Sequence, residues 1–215
     1  MGIQGIQALE KEGGARYTVW YQYFQEEKTL SKYFVGFWNV SVILTYISLL
    51  CAVGGICMCA EGNIWAAVIL LVCCGVCDMY DGKIARATKR SEDAKVFGIQ
   101  IDSLCDLIAF GVLPSCIGHA CGVRGLGMAV LMFYTLAALI RLGYFNVTEQ
   151  KRQQESSENR KFFEGLPVTW SAVIIPLTSL CRLFMGAEFK WVIGVVLGVV
   201  GFCFIARIKV PKPQI

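Results

Sequence analysis

Four aspartates stand in one short stretch as two pairs, Asp78 with Asp81 and Asp102 with Asp106. The stretch runs from Cys77 to Asp106, and apolar runs flank it on both sides. Carboxylates inside or beside a membrane-grade segment are costly, so they usually serve a function. At about 100° per residue, Asp78, Asp81, Gly82, Ala85 and Arg86 share one side of a helix. Gly98, Asp102 and Asp106 share a side of the next one. Four clustered carboxylates repel one another. A divalent cation relieves that repulsion, and all-oxygen ligands suit Mg2+, Mn2+ or Ca2+. Gly82, Ala85 and Gly98 have little or no side chain, which lets a ligand approach the backbone closely. Lys83, Arg86 and Lys89 attract phosphate. Metal, phosphate and a lipid-level site together suggest phosphoryl chemistry on a lipid. A single acid pair would read better as a solvated helix cap or half of an exposed ion pair. Two pairs on adjacent helix ends, with small residues on the same faces, do not.

The elements that must hold these acids are membrane helices. The chain is 56% hydrophobic and 17% charged, with a mean hydropathy of +0.57. A soluble domain carries about 25% charged residues. The fold class expected is an all-α integral membrane protein: six transmembrane helices preceded by an N-terminal interfacial amphipathic helix. The spans fall near 37–59, 64–86, 98–118, 123–145, 166–186 and 189–207, each close to the roughly 20 residues a bilayer needs. Residues 1–16 read as a flexible tail. Residues 17–36, with Trp20, Tyr21, Tyr23 and Phe24 among charges, read as the interfacial helix. Residues 37–209 form one membrane domain. Seventeen of the 20 Lys and Arg residues fall on the side of the termini, and only Arg124, Arg182 and Lys190 fall on the other. The positive-inside rule then places both termini and the acidic cluster in the cytoplasm. The absence of a targeting pattern makes a prokaryotic plasma membrane the default expectation.

Depth follows from length. The apolar run Ile64–Cys77 is too short to cross about 30 Å of hydrocarbon. The second helix must therefore continue through Asp78 and Asp81. The apolar part after Asp106 is also short, so Gly98 to Asp106 must be helical too. Both pairs then sit at the same end of two consecutive antiparallel helices and face each other.

Other signals are weaker. Most of the 11 cysteines lie in apolar runs, where Cys packs as a small hydrophobe. Cys74-x-x-Cys77 has a redox or zinc spacing but no matching second pair. The single histidine, His119, is placed in a short loop away from the acids. Gly194-x3-Gly198 is a helix-packing motif, within one protomer or between two in a homodimer. The modest net charge of +4 fits a membrane surface and gives no reason to expect nucleic-acid binding.

The spacing Asp78-x2-Asp81-Gly82-x2-Ala85-Arg86-x11-Gly98-x3-Asp102-x3-Asp106 resembles the signature of the CDP-alcohol phosphotransferases, with all eight fixed positions present. The long gap after Arg86 is similar to that of phosphatidylserine synthases. So are Asp102-Ser-Leu-Cys-Asp106 through Pro114, Arg141-Leu-Gly-Tyr-Phe-Asn146, and Phe163-Glu-Gly-Leu-Pro167. The resemblance implies transfer of a phosphatidyl group from CDP-diacylglycerol to an alcohol, with release of CMP. Asp78, Asp81 and Asp102 would bind two divalent cations, Mg2+ or Mn2+, with Asp106 sharing that role or acting as general base. Asp78, Asp81, Gly82, Ala85 and Arg86 would line the CDP site. Serine is the acceptor implied, and inositol phosphate or glycerol phosphate are the alternatives within the family. Arg141, Asn146, Lys151 and Arg152 are candidates for holding the serine carboxylate, with Arg141 equally readable as a snorkelling cation. The polar segment Val147–Lys161 reads as a mobile linker or a cover for the acceptor.

Two other classes compete. A divalent-cation transporter would distribute acids through the depth of the bundle, whereas these cluster at one end. A structural membrane protein would leave the four acids without a role.

Overall fold

The computed structural model describes residues 40–87, 92–155, 162–207 and 209–211. The expected tail and interfacial helix, residues 1–36, lie outside them. Helix α1 (Val40–Ala60) is followed by α2 (Ile64–Ala87) and α3 (Glu92–Asp106). A π-helical turn (Leu107–Val112) joins α3 to α4 (Leu113–Ala120). Then come α5 (Gly127–Glu155), β1 (Phe162–Glu164), α6 (Ser171–Leu180), the one-turn α7 (Arg182–Met185), α8 (Phe189–Ile205) and β2 (Lys209–Pro211).

Among the described residues, five helical segments are long and apolar enough to cross a membrane: Val42–Ala60, Ile64–Ile84, Ala94–Ala120, Gly127–Thr148 and Val168–Ile205. The chain is thus a largely helical integral membrane protein. The last segment is 38 residues long, well beyond one crossing. It is broken at Gly186, whose φ of +54° suits a residue without Cβ. The Leu166 N–H just before it donates to the Cys203 carbonyl near its end (3.1 Å). The segment is therefore folded back on itself.

Short turns make consecutive helices antiparallel. Only three residues separate α1 from α2. Asn63 caps α2, its side-chain oxygen accepting from the Ala66 N–H at 3.2 Å. The antiparallel register shows in two cross-contacts. The Thr45 hydroxyl reaches Asp81, and the Cys74 thiol donates to the Ser48 carbonyl (3.3 Å). Small residues let the helices close up, as is usual where lipid offers no hydrophobic drive. A Cβ added at Gly75 would lie 2.5 Å from that of Ala172, and one at Gly201 would lie 3.1 Å from the Tyr134 Cα. Gly194 and Gly198 face Val123 and Val130 of the same chain, so this motif packs α8 against the turn before α5 and the first turn of α5.

The buried centre holds Leu71, Phe110, Leu113, Ile117, Tyr134, Ile175, Ile193, Leu197 and Phe204. The outward face is equally apolar, with Leu50, Ile69, Leu136, Val195 and Phe202 exposed. That pattern fits a bilayer and no aqueous surface.

Several boundaries differ from the hydropathy reading. The third helix begins at Glu92 rather than Gly98, because a polar first turn is invisible to hydropathy. Helix α5 continues to Glu155, so the first part of the supposed linker is helical. His119 lies within α4 rather than in a loop, with Nε2 buried and without a hydrogen bond. All 11 cysteines are free, including Cys74 and Cys77. The purely helical expectation also missed a small antiparallel pair, in which Phe162, Phe163 and Glu164 face Pro211, Val210 and Lys209. Three-residue strands give too little alternation to be seen in a sequence.

Candidate active site

The acids of α2 and α3 meet as their spacing requires. Asp78 and Asp81 are three residues apart on α2, hence on one face. Asp102 approaches from α3. Each of the three offers a carboxylate oxygen, and these oxygens all lie within 4.8 Å of one another. Asp81 is buried, whereas Asp78 and Asp102 are half-buried. Asp106 closes α3 one turn beyond Asp102. It shares the face of α3 that carries Asp102 and lies outside the group of three converging carboxylates.

Neighbouring elements hold this cluster. Thr45, buried on α1, donates its hydroxyl to Asp81 Oδ2 at 3.2 Å. The backbone N–H of Gly82 also donates to Asp81. On the other side, Ser103 follows Asp102 and is paired with Asn146 of α5. Ser103 Oγ donates to Asn146 Oδ1 (3.0 Å), and Asn146 Nδ2 reaches back to Ser103 Oγ (2.8 Å). Thus α1 braces one acid-bearing helix and α5 the other.

The donor set fits a divalent cation. Carboxylate oxygens this close interact at roughly 4 kcal/mol per charge pair near a protein surface. Hard oxygen-binding cations relieve that repulsion, and Mg2+ and Mn2+ are such ions. There is also room for a ligand beside the acids, since a Cβ added at Gly82 would meet nothing within 4 Å. A cavity of about 630 Å3 between Asn63, Cys121 and Arg182 lies at the far end of α2, well away from the aspartates.

The remaining candidates divide. Asn146 lies beside the aspartates through Ser103. Arg141 is buried and turned to a different task. Its Nε donates to the Leu166 carbonyl (3.1 Å) and its terminal nitrogen to the Gly165 carbonyl (3.2 Å). It thereby pins the loop after β1 to α5. Gly165 permits this through a φ of +79°, and a Cβ there would lie 2.9 Å from the Phe204 carbonyl oxygen. Ala85 and Arg86 lie on the last turn of α2, and Lys151 and Arg152 near the end of α5. The side chains of these four residues are outside the described ones.

Sequence reasoning missed Thr45, Ser103 and the π turn. For Thr45 a signal was available. Thr45 and Ser48 sit three apart in an apolar run, and both are buried. Two hydroxyls on one face of a membrane helix mark the side that meets polar neighbours.

A family model described as CDP-alcohol phosphatidyltransferase matches residues 38–204, which include every one of these site residues. The chain belongs to that family. Among curated proteins it is similar to the CDP-diacylglycerol–serine O-phosphatidyltransferase of Saccharomyces cerevisiae, at 37% identity over 50% of this chain and 39% of that protein. It is similar to the enzyme of the same name from Helicobacter pylori strain J99, at 30% identity over 66% of this chain and 59% of the relative. It also resembles an archaetidylserine synthase of Methanothermobacter thermautotrophicus, at 34% identity over 60% of this chain and 50% of the relative. The chain thus spans about half the length of the curated relatives it matches. No solved structure matches it. Within this CDP-alcohol phosphatidyltransferase domain, the eight signature positions all lie on α2 and α3.

Proposed function

We propose that this protein transfers a phosphatidyl group from CDP-diacylglycerol to the hydroxyl of L-serine, releasing CMP. The observation that carries the reading is the convergence of three carboxylate oxygens within 4.8 Å at one end of two membrane helices, in a chain of this family. Serine is favoured over inositol phosphate or glycerol phosphate because the yeast and bacterial relatives are named serine O-phosphatidyltransferases and the archaeal one an archaetidylserine synthase. A cation transporter is disfavoured by the same family membership.

Asp78, Asp81 and Asp102 would hold two divalent cations, Mg2+ or Mn2+. When bound, such ions neutralise the diphosphate and stabilise charge on the departing CMP. Asp106 takes the proton from the serine hydroxyl as its oxygen attacks the phosphorus that bears the diacylglycerol. A new P–O bond forms to serine, and the bond from that phosphorus to the CMP oxygen breaks. Gly82, Ala85 and Arg86 line the CDP site, where the open space beside Gly82 admits the diphosphate. Asn146, Lys151 and Arg152 are the candidates for holding the acceptor, and Arg141 supports that side of the site through the loop it pins.

The same reading has six crossings, with the folded-back segment at Val168–Ile205 counted as two. The active site and both termini face the cytoplasm, in a prokaryotic plasma membrane. The membrane domain extends over residues 37–209, preceded by the interfacial helix. The deciding experiment supplies the purified protein with CDP-diacylglycerol, Mg2+ or Mn2+, and a panel of alcohols, and follows CMP release. Serine-dependent release supports the reading. Preference for a phosphorylated polyol overturns the acceptor, and metal-independent turnover overturns the site.

A further inference from the structure

The helix bearing Asp102 and Asp106 does not continue as an α-helix. Directly after Asp106 the chain makes a π turn, Leu107–Val112, closed by the Leu113 N–H donating to the Ile108 carbonyl five residues back. A π turn holds an extra residue, so it rotates the helix on its N-terminal side against the helix on its C-terminal side by about 100°. In an unbroken α-helix Asp102, Asp106, Phe110, Leu113 and Ile117 would form one stripe. That stripe cannot be both the acidic face and the core. With the π turn, Leu113 and Ile117 are fully buried while Asp102 meets Asp78 and Asp81.

Helix α5 grips this turn. The buried Tyr134 donates its hydroxyl to the Phe110 carbonyl (2.8 Å), and Thr135 donates to the Gly111 carbonyl (3.2 Å). The Ser115 hydroxyl lies 2.8 Å from that of Thr135, to which it can donate its single proton, and is also within reach of the Gly111 (3.2 Å) and Leu131 (3.1 Å) carbonyls. The contact is close, since a Cβ on Gly111 would lie 3.2 Å from that of Ala138. Carbonyls displaced from the α ladder need such donors when buried.

We propose that Tyr134, Thr135 and Ser115 are positioning residues: by holding the π turn, they set the rotation at which Asp102 and Asp106 face Asp78 and Asp81. This rests on the reading that these aspartates carry the chemistry. The test is the double variant Thr135→Val with Ser115→Ala, which removes both hydroxyls from Gly111, beside the hydroxyl-retaining Thr135→Ser. Turnover, the serine KM and the Mn2+ concentration for half-maximal activity are measured in nanodiscs, together with the Tm. A displacement of about 1 Å at reacting groups costs up to roughly 100-fold. The double variant should therefore lose about tenfold or more in kcat, and its Mn2+ requirement should rise about threefold or more. Thr135→Ser should stay within about twofold of the parent. If the double variant does not fold, Thr135→Val alone, which leaves the Ser115 hydroxyl on Gly111, should still lose about threefold or more in kcat. Values of kcat and Mn2+ requirement within about twofold of the parent would overturn the inference. So would a loss that follows Tm and disappears on cooling. Asp106→Asn is assayed alongside: full activity there removes the underlying assignment, whereas an inactive Asp106→Asn with fully active hydroxyl variants removes the positioning role alone.

Discussion

Thr45 offers a sharp test of how the acidic cluster is held. Its hydroxyl donates to Asp81, a buried carboxylate, across the α1–α2 interface at 3.2 Å. Replacing Thr45 by Val keeps the side-chain shape and removes that donor. Hydrogen bonds to charged groups contribute about 1.5–3 kcal/mol. Each 1.4 kcal/mol is tenfold in an equilibrium constant, so a loss expressed wholly in cation binding would weaken it by roughly 10- to 100-fold. Part of the loss is absorbed because the Gly82 N–H still donates to Asp81. The lower end, about tenfold, is therefore expected. The assay is CMP release at saturating CDP-diacylglycerol and serine over a Mn2+ titration. The half-saturating concentration should move up about tenfold, while turnover at saturating Mn2+ stays within about threefold of the parent. Thr45→Ser should behave as the parent. A Thr45→Val enzyme with unchanged Mn2+ dependence would refute the view that α1 orients a metal ligand. A drop in turnover that no amount of Mn2+ restores would place Thr45 in the chemical step instead.

The geometry sets three further outcomes. Replacing Asp78, Asp81, Asp102 or Asp106 singly by Asn should lower CMP release by about 1,000-fold or more, and a chelator should do the same reversibly; substantial turnover in any of them removes that residue from the machinery. Gly165→Ala places a Cβ against the Phe204 carbonyl oxygen at a φ of +79°, and should cost about 1–3 kcal/mol in detergent-solubilised melting, with less loss if the loop is free to move than if Arg141 pins it. Gly75→Val drives a branched side chain into Ala172, already 2.5 Å from an added Cβ, and should lower the Tm by several degrees while Gly82→Ala, in open space, leaves it unchanged.

The convergence of the aspartates was legible because its signals are local. Asp78 and Asp81 share a helix face by spacing alone, and the short run from Ile64 to Cys77 forces α2 to continue past both. The convergence of Asp78, Asp81 and Asp102 is then a consequence of two antiparallel helices with the acids at one end. The illegible features depend on contacts between distant segments. Arg141 looks the same in sequence whether it binds a substrate carboxylate, snorkels, or caps the Gly165 and Leu166 carbonyls; only the path of the loop decides. The π turn is hidden for a related reason. Leu107 to Val112 has ordinary apolar residues, and its wider hydrogen bonding is set by Tyr134 and Thr135 on another helix. The polar start of α3 and the β1–β2 pair escape because neither leaves a periodic trace long enough to recognise.

The division of labour among the helices bears on how such a site changes acceptor. On the proposed reading, the acids belong to α2 and α3, and the candidate acceptor groups, Asn146, Lys151 and Arg152, belong to α5. The two halves touch through the Ser103–Asn146 pair, one residue from Asp102. A change on α5 can therefore reshape the acceptor side while the carboxylates keep their mutual spacing, which α1 secures independently through Thr45. Had the acceptor side been built on α2 or α3, every change of alcohol would have disturbed the oxygens that sit within 4.8 Å of each other. The chemistry is the more constrained half because like charges at that distance tolerate little displacement, whereas neutral hydrogen-bonding partners such as Ser103 and Asn146 can be exchanged at about 1 kcal/mol each.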